Sequence, residues 1–266
     1  MLKRPLLNSG ISFLTPEGKP ISNLVSEFEN GGQIQVWVID KRELNDRDSY
    51  LRYLSNDELE KAQKFRFEKD FSTYVIARGI LKKLLSKYIR TPTDAIGFVY
   101  GDYGKPKLKN SNTIHFNVSH SNEMIVLAVA QDTQVGVDVE YRNDTINLME
   151  IANTVFTETE IEFLNSLQNK EVSQGFYHLW TRKEAFIKLS GYGLSMPIAL
   201  PKISVLKDQV ELLDKVSPKQ NLLKWDCVLR SFSPDPDYAA AIVASEGSQM
   251  MAFMNWNDYK HTLHIA

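Results

Sequence analysis

The chain has little that would place it outside a cell or in a membrane. It has one cysteine, Cys227, so no intramolecular disulfide can form. Its first ten residues lack the apolar segment of a signal peptide, and no run approaches the roughly 20 apolar residues of a membrane span. Its 31 basic and 33 acidic residues nearly cancel, which excludes a general electrostatic attraction to nucleic acid or anionic membranes. We expect a cytoplasmic protein with neither as a partner.

Several common active-site motifs are also absent. There is no phosphate-binding Gly-x-x-x-x-Gly-Lys-Ser/Thr loop and no dinucleotide-binding Gly-x-Gly-x-x-Gly motif. No Gly-x-Ser-x-Gly surrounds Ser119 or Ser121, which excludes a hydrolase nucleophile elbow at either serine. The chain has no cysteine pair and no His-x-x-x-His spacing, so a metal site is expected to use oxygen ligands and to hold a hard ion.

The patterns that are present predict a fold of helices and strands in two halves. The 266 residues are 43% apolar, which is enough for a substantial core. Each half contains strand-like alternation, helices opened by a capping-box pattern, and further strands. We divide the chain into an N-terminal extension (residues 1–32), an N-terminal subdomain (33–133) and a C-terminal subdomain (134–266). The seam between the two halves is expected near the polar turn at residues 132–135.

Two carboxylates stand out in the strand predicted over residues 135–140. Asp138 and Glu140 are two residues apart, so both side chains project from one face of that strand while Val137 and Val139 face the core. Like charges this close repel each other, and a bound cation relieves the repulsion. Mg²⁺ suits one or two carboxylates together with substrate phosphates. The alternative interpretation is a pair of solvated carboxylates at a strand end.

A second charged group lies in the long helix predicted over residues 172–189. Glu184 and Lys188 are four residues apart and therefore neighbours on the helix surface. One interpretation is an ordinary ion pair on the helix surface. The other follows from the strongly apolar character of the helix: Glu184 is a metal ligand or a base, and Lys188 neutralises phosphate charge. His120, between Ser119 and Ser121, either has a structural role or donates a hydrogen bond to a phosphate. A solvated helix face is the more typical interpretation of one group of basic residues, and a phosphate-facing role is the alternative; the group consists of Lys61, Lys64, Arg66, Lys69 and Arg78.

Three segments, taken together, resemble a known family. The segments Phe-Asn-Val-Ser-His-Ser (116–121), Val-Gly-Val-Asp-Val-Glu (135–140) and Trp-Thr-Arg-Lys-Glu-Ala-Phe-Ile-Lys (180–188) occur in the order and spacing of the 4′-phosphopantetheinyl transferases of the Sfp type. The resemblance covers residues 34–195 well. It implies two pseudo-symmetric α/β subdomains with the active site in the cleft between them, an α+β fold.

The resemblance also implies a reaction and the residues that perform it. Such an enzyme, a holo-[carrier protein] synthase, binds coenzyme A and Mg²⁺, with Mn²⁺ as an alternative. A serine hydroxyl of an apo acyl or peptidyl carrier protein attacks the β-phosphate of coenzyme A, and adenosine 3′,5′-bisphosphate leaves. The positions that match the family's metal carboxylates are Asp138, Glu140 and Glu184. Those that match its catalytic groups are Glu184 as base, Lys188 on the diphosphate and His120 on a phosphate.

The coenzyme A contacts carry over in the same way. Positions that match the family's cofactor-binding residues are Lys61, Lys64, Gly104, Lys105, Pro106, Ser119, His120 and Lys188. Where some members have a further lysine, this chain has Glu58. The length suggests a monomer of two halves rather than a trimer of short subunits. Two other hypotheses stay open: a non-catalytic homologue that binds coenzyme A or a carrier protein, and another Mg²⁺-dependent phosphotransferase.

Overall fold

A computed structural model describes residues 34–44, 46–198, 227–245 and 251–259. It also gives the backbone, without side chains, of the short strands at 201–203 and 210–212, and of Leu194. The predicted N-terminal extension, residues 1–32, lies outside the described residues. Among the residues described, no helix combines the length and apolar character that a membrane crossing requires.

The first sheet has four strands, and its last strand comes from the far end of the chain. Its order is β11, β1, β5, β4, where β1 is Ile34–Asp40, β4 is Ile114–Ser121, β5 is Met124–Gln131 and β11 is Met251–Asn255. Strand β11 is parallel to β1, and the other pairs are antiparallel. Residues 124–130 of β5 are all buried, as their continuous apolar run predicts for a strand covered on both faces.

The second sheet has three antiparallel strands in the order β6, β10, β9. These strands are β6 (Val135–Tyr141), β9 (Cys227–Phe232) and β10 (Tyr238–Ser245). Two ribbons complete the described strands, one of β2 (Phe98–Tyr100) and β3 (Pro106–Leu108), the other of β7 (Pro201–Ile203) and β8 (Val210–Leu212). Cys227 is half-buried and packs against the core of this half.

Two of the helices begin where the capping-box patterns predict, and the long helix of the second half begins at Asn169 rather than near residue 172. The α-helices are α1 (Asn56–Gln63), α2 (Glu68–Tyr88), α3 (Leu148–Val155), α4 (Glu158–Asn165), α5 (Asn169–Ser190) and α6 (Trp256–Tyr259). Short 3₁₀ turns occupy Lys41–Glu43, Asp48–Tyr53, Thr93–Ala95 and Gly193–Ser195. Both predicted capping boxes form, Ser55 with Glu58 before α1 and Thr157 with Glu160 before α4, and each satisfies backbone donors at a helix start.

Three clusters of buried residues order these elements into four layers. One cluster lies between α2 and the first sheet and includes Trp37, Leu81 and Trp256. A second lies between the two sheets, with Val36, Val137 and Ile242. The third lies between the second sheet and α5. Each sheet is thus backed by one long helix, and the mixed α and β fold in two halves is confirmed.

Helix α2 is more deeply buried than its charges suggest. Lys61, Lys64, Arg66 and Lys69 are exposed, as expected for a solvated face. The prediction is wrong for Arg78, which is 9% exposed, and Lys82 of the same helix is only 1% exposed. Both face Glu58, with Lys82 Nζ 3.1 Å from Oε2 and Arg78 Nε 3.7 Å from Oε1. The carboxylate of Glu58 compensates these buried cations, which explains an acidic residue at that position.

The chain crosses back between its halves near its end. Strand β11 and helix α6 follow the second sheet in sequence, yet they pack with β1 and the first core. The division at residues 133/134 therefore stays a prediction, and the spatial grouping of residues 251–259 differs from their order in the chain. The turn between β5 and β6 contains Asp132, which has a φ of 54°. Aspartate tolerates this left-handed conformation better than most residues.

Candidate active site

Strands β4 and β6 lie side by side at the seam and are joined by side chains. Three residues at alternate positions of β4 accept hydrogen bonds from backbone N–H groups of β6. The bonds run from Val137 to Asn117 Oδ1 (2.9 Å), from Val139 to Ser119 Oγ (3.3 Å) and from Tyr141 to Ser121 Oγ (3.0 Å). These side chains take the place of backbone hydrogen bonds and join the edge strand β4 of one sheet to the edge strand β6 of the other.

A glycine lets helix α5 approach this seam. A Cβ added to Gly136 would overlap the Ala185 carbonyl oxygen and the Leu189 amide, and would lie 2.8 Å from Leu189 Cα. Any other residue would force α5 away from β6. Since Asp138 and Glu140 share the face of β6 on which Gly136 lies, this close approach brings Glu184 and Lys188 of the helix toward the two carboxylates.

Lys105 joins the same end of helix α5 to the start of β6. Its Nζ donates to the carbonyl oxygens of Val135 (3.1 Å) and Leu189 (3.0 Å), at the start of β6 and near the end of α5. Burial lowers the pKa of Lys105 to about 8. The Lys105 ammonium group is therefore occupied by backbone carbonyls, although the sequence predicts it as a coenzyme A contact.

Asp138, Ser119 and Lys188 form a buried cluster at the centre of the site. Asp138 is 2% exposed, and its Oδ1 accepts from Lys188 Nζ (2.6 Å) and from Ser119 Oγ (2.9 Å). Lys188 Nζ also donates to Ser119 Oγ at 2.8 Å. Burial raises the pKa of Asp138, and Lys188 opposes the rise. The interpretation of Asp138 as a solvated carboxylate is therefore excluded.

The second oxygen of Asp138 indicates room for a cation. Asp138 Oδ2 is buried and has no hydrogen-bond partner among the residues that the structure describes, which is costly for a carboxylate. Glu140 stands on the same face of β6, accepts from Ser121 Oγ at 2.8 Å, and has its pKa raised to about 7 by burial and by Asp138. Excess negative charge and an unpartnered carboxylate oxygen fit a bound divalent ion.

Glu184 is the third carboxylate predicted for the site, and it does not form a tight cluster with Asp138 and Glu140. Burial and the Asp138 carboxylate raise its pKa, and Lys188 opposes the rise. The three carboxylates are not drawn into one ligand cluster, and in the described part of the chain no three His, Cys, Asp or Glu side chains have a metal-holding arrangement. Asp138 is instead neutralised by Lys188, which is a cation already held in place.

His120 lies on the opposite face of β4 from Ser119 and Ser121. Its imidazole reaches solvent. Its packed surroundings and the nearby cations Lys188 and Lys41 lower its pKa, so it is a neutral ring at neutral pH. Lys41, which the sequence does not single out, donates to Thr73 Oγ1 at 2.7 Å and lies 3.8 Å from Glu123.

The remaining predicted residues lie at the end of α1 and in the turn that leads into β3. Gly104 has a φ of 84° in a turn closed by Gly101 and Lys105, and Pro106 begins β3. Lys61 Nζ lies 5.6 Å from the ring centres of Tyr74 and Tyr100 and lines a cavity of about 680 Å³. Lys64 caps the end of α1 and is exposed.

Sequence reasoning missed Gly136, Ser121 and the backbone role of Lys105. Gly136 lies inside the segment that carries the family resemblance, and a glycine in an apolar strand signals a close approach of other backbone. Ser121 could have been found from its spacing, because it lies two positions after Ser119 and therefore on the same face of the strand. Lys105 carried no such signal, because its acceptors belong to residues 30 and 84 positions away.

Comparisons with known proteins agree with this arrangement. The profile of the 4′-phosphopantetheinyl transferase superfamily matches residues 134–243, and that of the N-terminal part of a 4′-phosphopantetheinyl transferase matches residues 41–132.

Several relatives are similar along the chain. The 4′-phosphopantetheinyl transferase Sfp of Bacillus subtilis is 31% identical over 208 residues, which cover 77% of this chain and 87% of the relative. The transferase gsp of Aneurinibacillus migulanus is 38% identical over 157 residues, 58% of this chain and 64% of the relative. HetI of Nostoc is 34% identical over 145 residues, 53% and 61%. The chain therefore belongs to the 4′-phosphopantetheinyl transferase family of enzymes, which use coenzyme A and a divalent metal to place the phosphopantetheine group on carrier proteins.

Proposed function

We propose that the transfer takes place between β4, β6 and α5, with Asp138, Glu140 and Glu184 as the ligands of the divalent ion. The observation that carries this assignment is Asp138, a buried carboxylate with one oxygen bound to Lys188 and the other without a partner among the described residues. We further propose that the ion is Mg²⁺, with Mn²⁺ as a substitute, because an all-oxygen donor set suits hard ions. When bound, the ion neutralises charge on the diphosphate of coenzyme A.

Two residues of the helix carry the proton transfers in this proposal. Glu184 takes the proton of the carrier serine hydroxyl, directly or through water, and its raised pKa makes it a better base than an exposed glutamate. Lys188 contacts the diphosphate and returns a proton to the departing bisphosphate. Its side chain is 29% exposed and ion-paired with Asp138, which supports a lysine held at the edge of the reaction centre rather than buried beneath it.

Coenzyme A contacts come from both faces of β4 in this proposal. His120 donates to a phosphate, while Lys61 and Lys64 meet the 3′-phosphate beside the cavity that Lys61 lines. The turn of Gly104, Lys105 and Pro106 borders the adenine. Because the Lys105 ammonium and the Ser119 hydroxyl already have partners within the protein, we assign their contribution to backbone contacts and to shaping the pocket.

The partner is an apo acyl or peptidyl carrier protein with a reactive serine. The two halves of one chain supply the site, which supports a monomer as the working unit. The chain's single cysteine supports a reducing, cytoplasmic setting. Among carriers of fatty acid, polyketide, nonribosomal peptide and lysine pathways, the choice is an experimental question.

The test is mass spectrometry of a panel of apo carriers incubated with the protein, coenzyme A and Mg²⁺. We expect a gain of the phosphopantetheine mass on at least one carrier. Asp138→Asn and Glu184→Gln should each lower the transfer rate by roughly 10²-fold or more, as for other losses of transition-state charge stabilisation. Ser86→Ala, on the buried side of α2, is the matched control and should transfer at the wild-type rate.

Three results would contradict the proposal. If Glu184→Gln transfers as fast as the wild type, Glu184 is neither the base nor a required ligand. If calorimetry finds tight carrier binding while no carrier in the panel gains mass, the chain is a non-catalytic homologue, an interpretation that nothing in the comparisons favours. Turnover of a nucleotide without coenzyme A would instead indicate another phosphotransferase.

A further inference from the structure

The three β4 side chains that bridge the seam differ in what else they bind. Asn117 Oδ1 accepts from the Val137 N–H and contacts neither acidic side chain. Ser119 and Ser121 each accept a backbone N–H as well, and each donates its hydroxyl hydrogen to a carboxylate. Ser119 donates to Asp138 at 2.9 Å, and Ser121 donates to Glu140 at 2.8 Å. The same strand thus holds both carboxylates of β6.

The chemistry of a hydroxyl makes this arrangement directional. A serine hydroxyl has one hydrogen to donate and two lone pairs. At Ser121, the N–H of Tyr141 occupies a lone pair at 3.0 Å, which fixes the oxygen beside β6. The hydrogen is then directed to Glu140 Oε2. This bond restrains Oε2 of Glu140 and does not involve Oε1. The side chain is thereby held in one rotamer in which Oε1 can bind a metal ion.

We propose that Ser121 is a positioning residue that holds the Glu140 carboxylate in register with Asp138 for one divalent ion. The inference rests on the proposed function, because it takes Glu140 as a metal ligand. Ser119 already performs the equivalent task for Asp138 together with Lys188, whereas within the described residues Glu140 accepts from Ser121 and from no lysine. Loss of the hydroxyl should release Glu140 to other rotamers and weaken metal binding without removing a ligand.

The test compares three variants by direct metal binding. Ser121→Ala removes both Ser121 bonds, Ser121→Thr keeps a hydroxyl, and Asn117→Ala removes a seam bond without touching a carboxylate. Mn²⁺ binding is followed by electron paramagnetic resonance with coenzyme A present and no carrier, and thermal unfolding is recorded for each protein. We expect 10–100-fold weaker Mn²⁺ binding for Ser121→Ala, the usual effect of losing a hydrogen-bond partner of a ligand.

The other variants separate positioning from strand spacing. Ser121→Thr should recover most of the affinity, and Asn117→Ala should lower the unfolding temperature while binding Mn²⁺ like the wild type. In turnover, Ser121→Ala should need more metal for half-maximal rate and approach the wild-type kcat at saturating metal. Should Ser121→Ala not fold, Ser121→Cys, which has similar size and a weak donor, replaces it with the same expectation.

Two results would overturn the inference. Wild-type affinity in Ser121→Ala would show that Glu140 needs no restraint, and equal losses in Ser121→Ala and Asn117→Ala would assign the effect to the spacing of β4 and β6. Glu140→Gln distinguishes a failure of the underlying proposal. If Glu140→Gln binds Mn²⁺ like the wild type, the metal assignment itself is wrong; if it loses binding while Ser121→Ala does not, only the role of Ser121 is wrong.

Discussion

Asp138 is a buried carboxylate whose two oxygens have different environments. Oδ1 is bound by a lysine and a serine, while Oδ2 has no partner in the described part of the chain. An ionised group in such a place is tolerated only when a cation is near, and Lys188 supplies it here. In the proposed site, Lys188 would become available to a phosphate group if a divalent ion neutralised Asp138.

The burial of Lys105 predicts how the stability of the protein depends on pH. Its pKa is about 8 in the folded protein, below the ordinary value of about 10.4 that applies to the unfolded chain. Between these two pH values the unfolded state binds more protons at this residue than the folded state does. The free energy of unfolding should therefore rise with pH in this interval through Lys105, because the buried ammonium loses its charge.

The measurement is urea denaturation of the wild type and of Lys105→Met at several pH values from 7.5 to 10.5. The wild type should gain stability relative to Lys105→Met as the pH rises. A constant difference across this range would show that Lys105 has an ordinary pKa and that its ammonium group is hydrated.

A second buried lysine tests the cost of breaking a buried ion pair. Lys183 and Glu160 are each no more than 1% exposed, and Lys183 Nζ lies 2.9 Å from Glu160 Oε1. Lys183→Met removes the cation of this pair while the buried Glu160 carboxylate stays, so we expect a loss of about 3–5 kcal/mol in the free energy of unfolding. Glu160→Gln in the same chain removes the charge of the carboxylate and keeps an acceptor for the Thr157 N–H.

Chemical denaturation of the two single variants and the double variant makes a thermodynamic cycle. The double variant should be more stable than Lys183→Met alone. If its loss equals the sum of the two single losses, Lys183 and Glu160 are not coupled and the pair contributes nothing beyond its separate members.

Helix α5 depends on its contact with β6 for both stability and activity. Gly136 permits that contact, and Lys105 ties the end of the helix to the start of the strand. Gly136→Ala should destabilise the protein by about 1–3 kcal/mol or more, as expected for an added methyl group in a packed interior. It should also lower the transfer rate, because Lys188 would move away from Asp138.

Gly101→Ala is the matched control, since its added Cβ meets only an ordinary contact of 3.7 Å with the Lys105 carbonyl oxygen. Thermal unfolding and the transfer assay are measured for both variants. A Gly136→Ala protein with wild-type stability and rate would mean that α5 does not need to lie this close to β6.

The whole molecule is held together by the core between its two sheets. Strand β11 and helix α6 return to the first half, where Trp256 lies 6.1 Å and Tyr259 5.4 Å from Trp37, measured between ring centres. A fragment ending at residue 133 would therefore lack part of its own core. We expect one cooperative unfolding transition for the intact chain and no stable fold for residues 33–133 alone.

Calorimetry of the intact chain and circular dichroism of the fragment test this expectation, with a fragment-plus-complement mixture as the comparison. Two separated transitions in the intact chain, or a cooperative melt of the fragment 33–133, would show that the halves fold independently.

Local pattern was enough to predict most elements, because helix starts and strand alternation depend on neighbouring residues. The capping boxes at Ser55 and Thr157 and the buried strand β5 are examples. The same logic failed for Arg78, whose position on α2 reads as solvated until Glu58 is brought against it by folding. A charge's environment depends on partners that local sequence does not reveal.

The order and spacing of three segments were by themselves sufficient to indicate the family, the acidic residues and the reaction, because a reaction constrains residue types at fixed positions. Tertiary structure alone decided how these groups are held. It bound Asp138 to Lys188, gave the Lys105 ammonium to backbone carbonyls, and aligned Ser119 and Ser121 with the carboxylates of β6. The physical reason is that each of these bonds joins residues at least 19 positions apart, and only packing of the two sheets and α5 brings them within hydrogen-bonding distance.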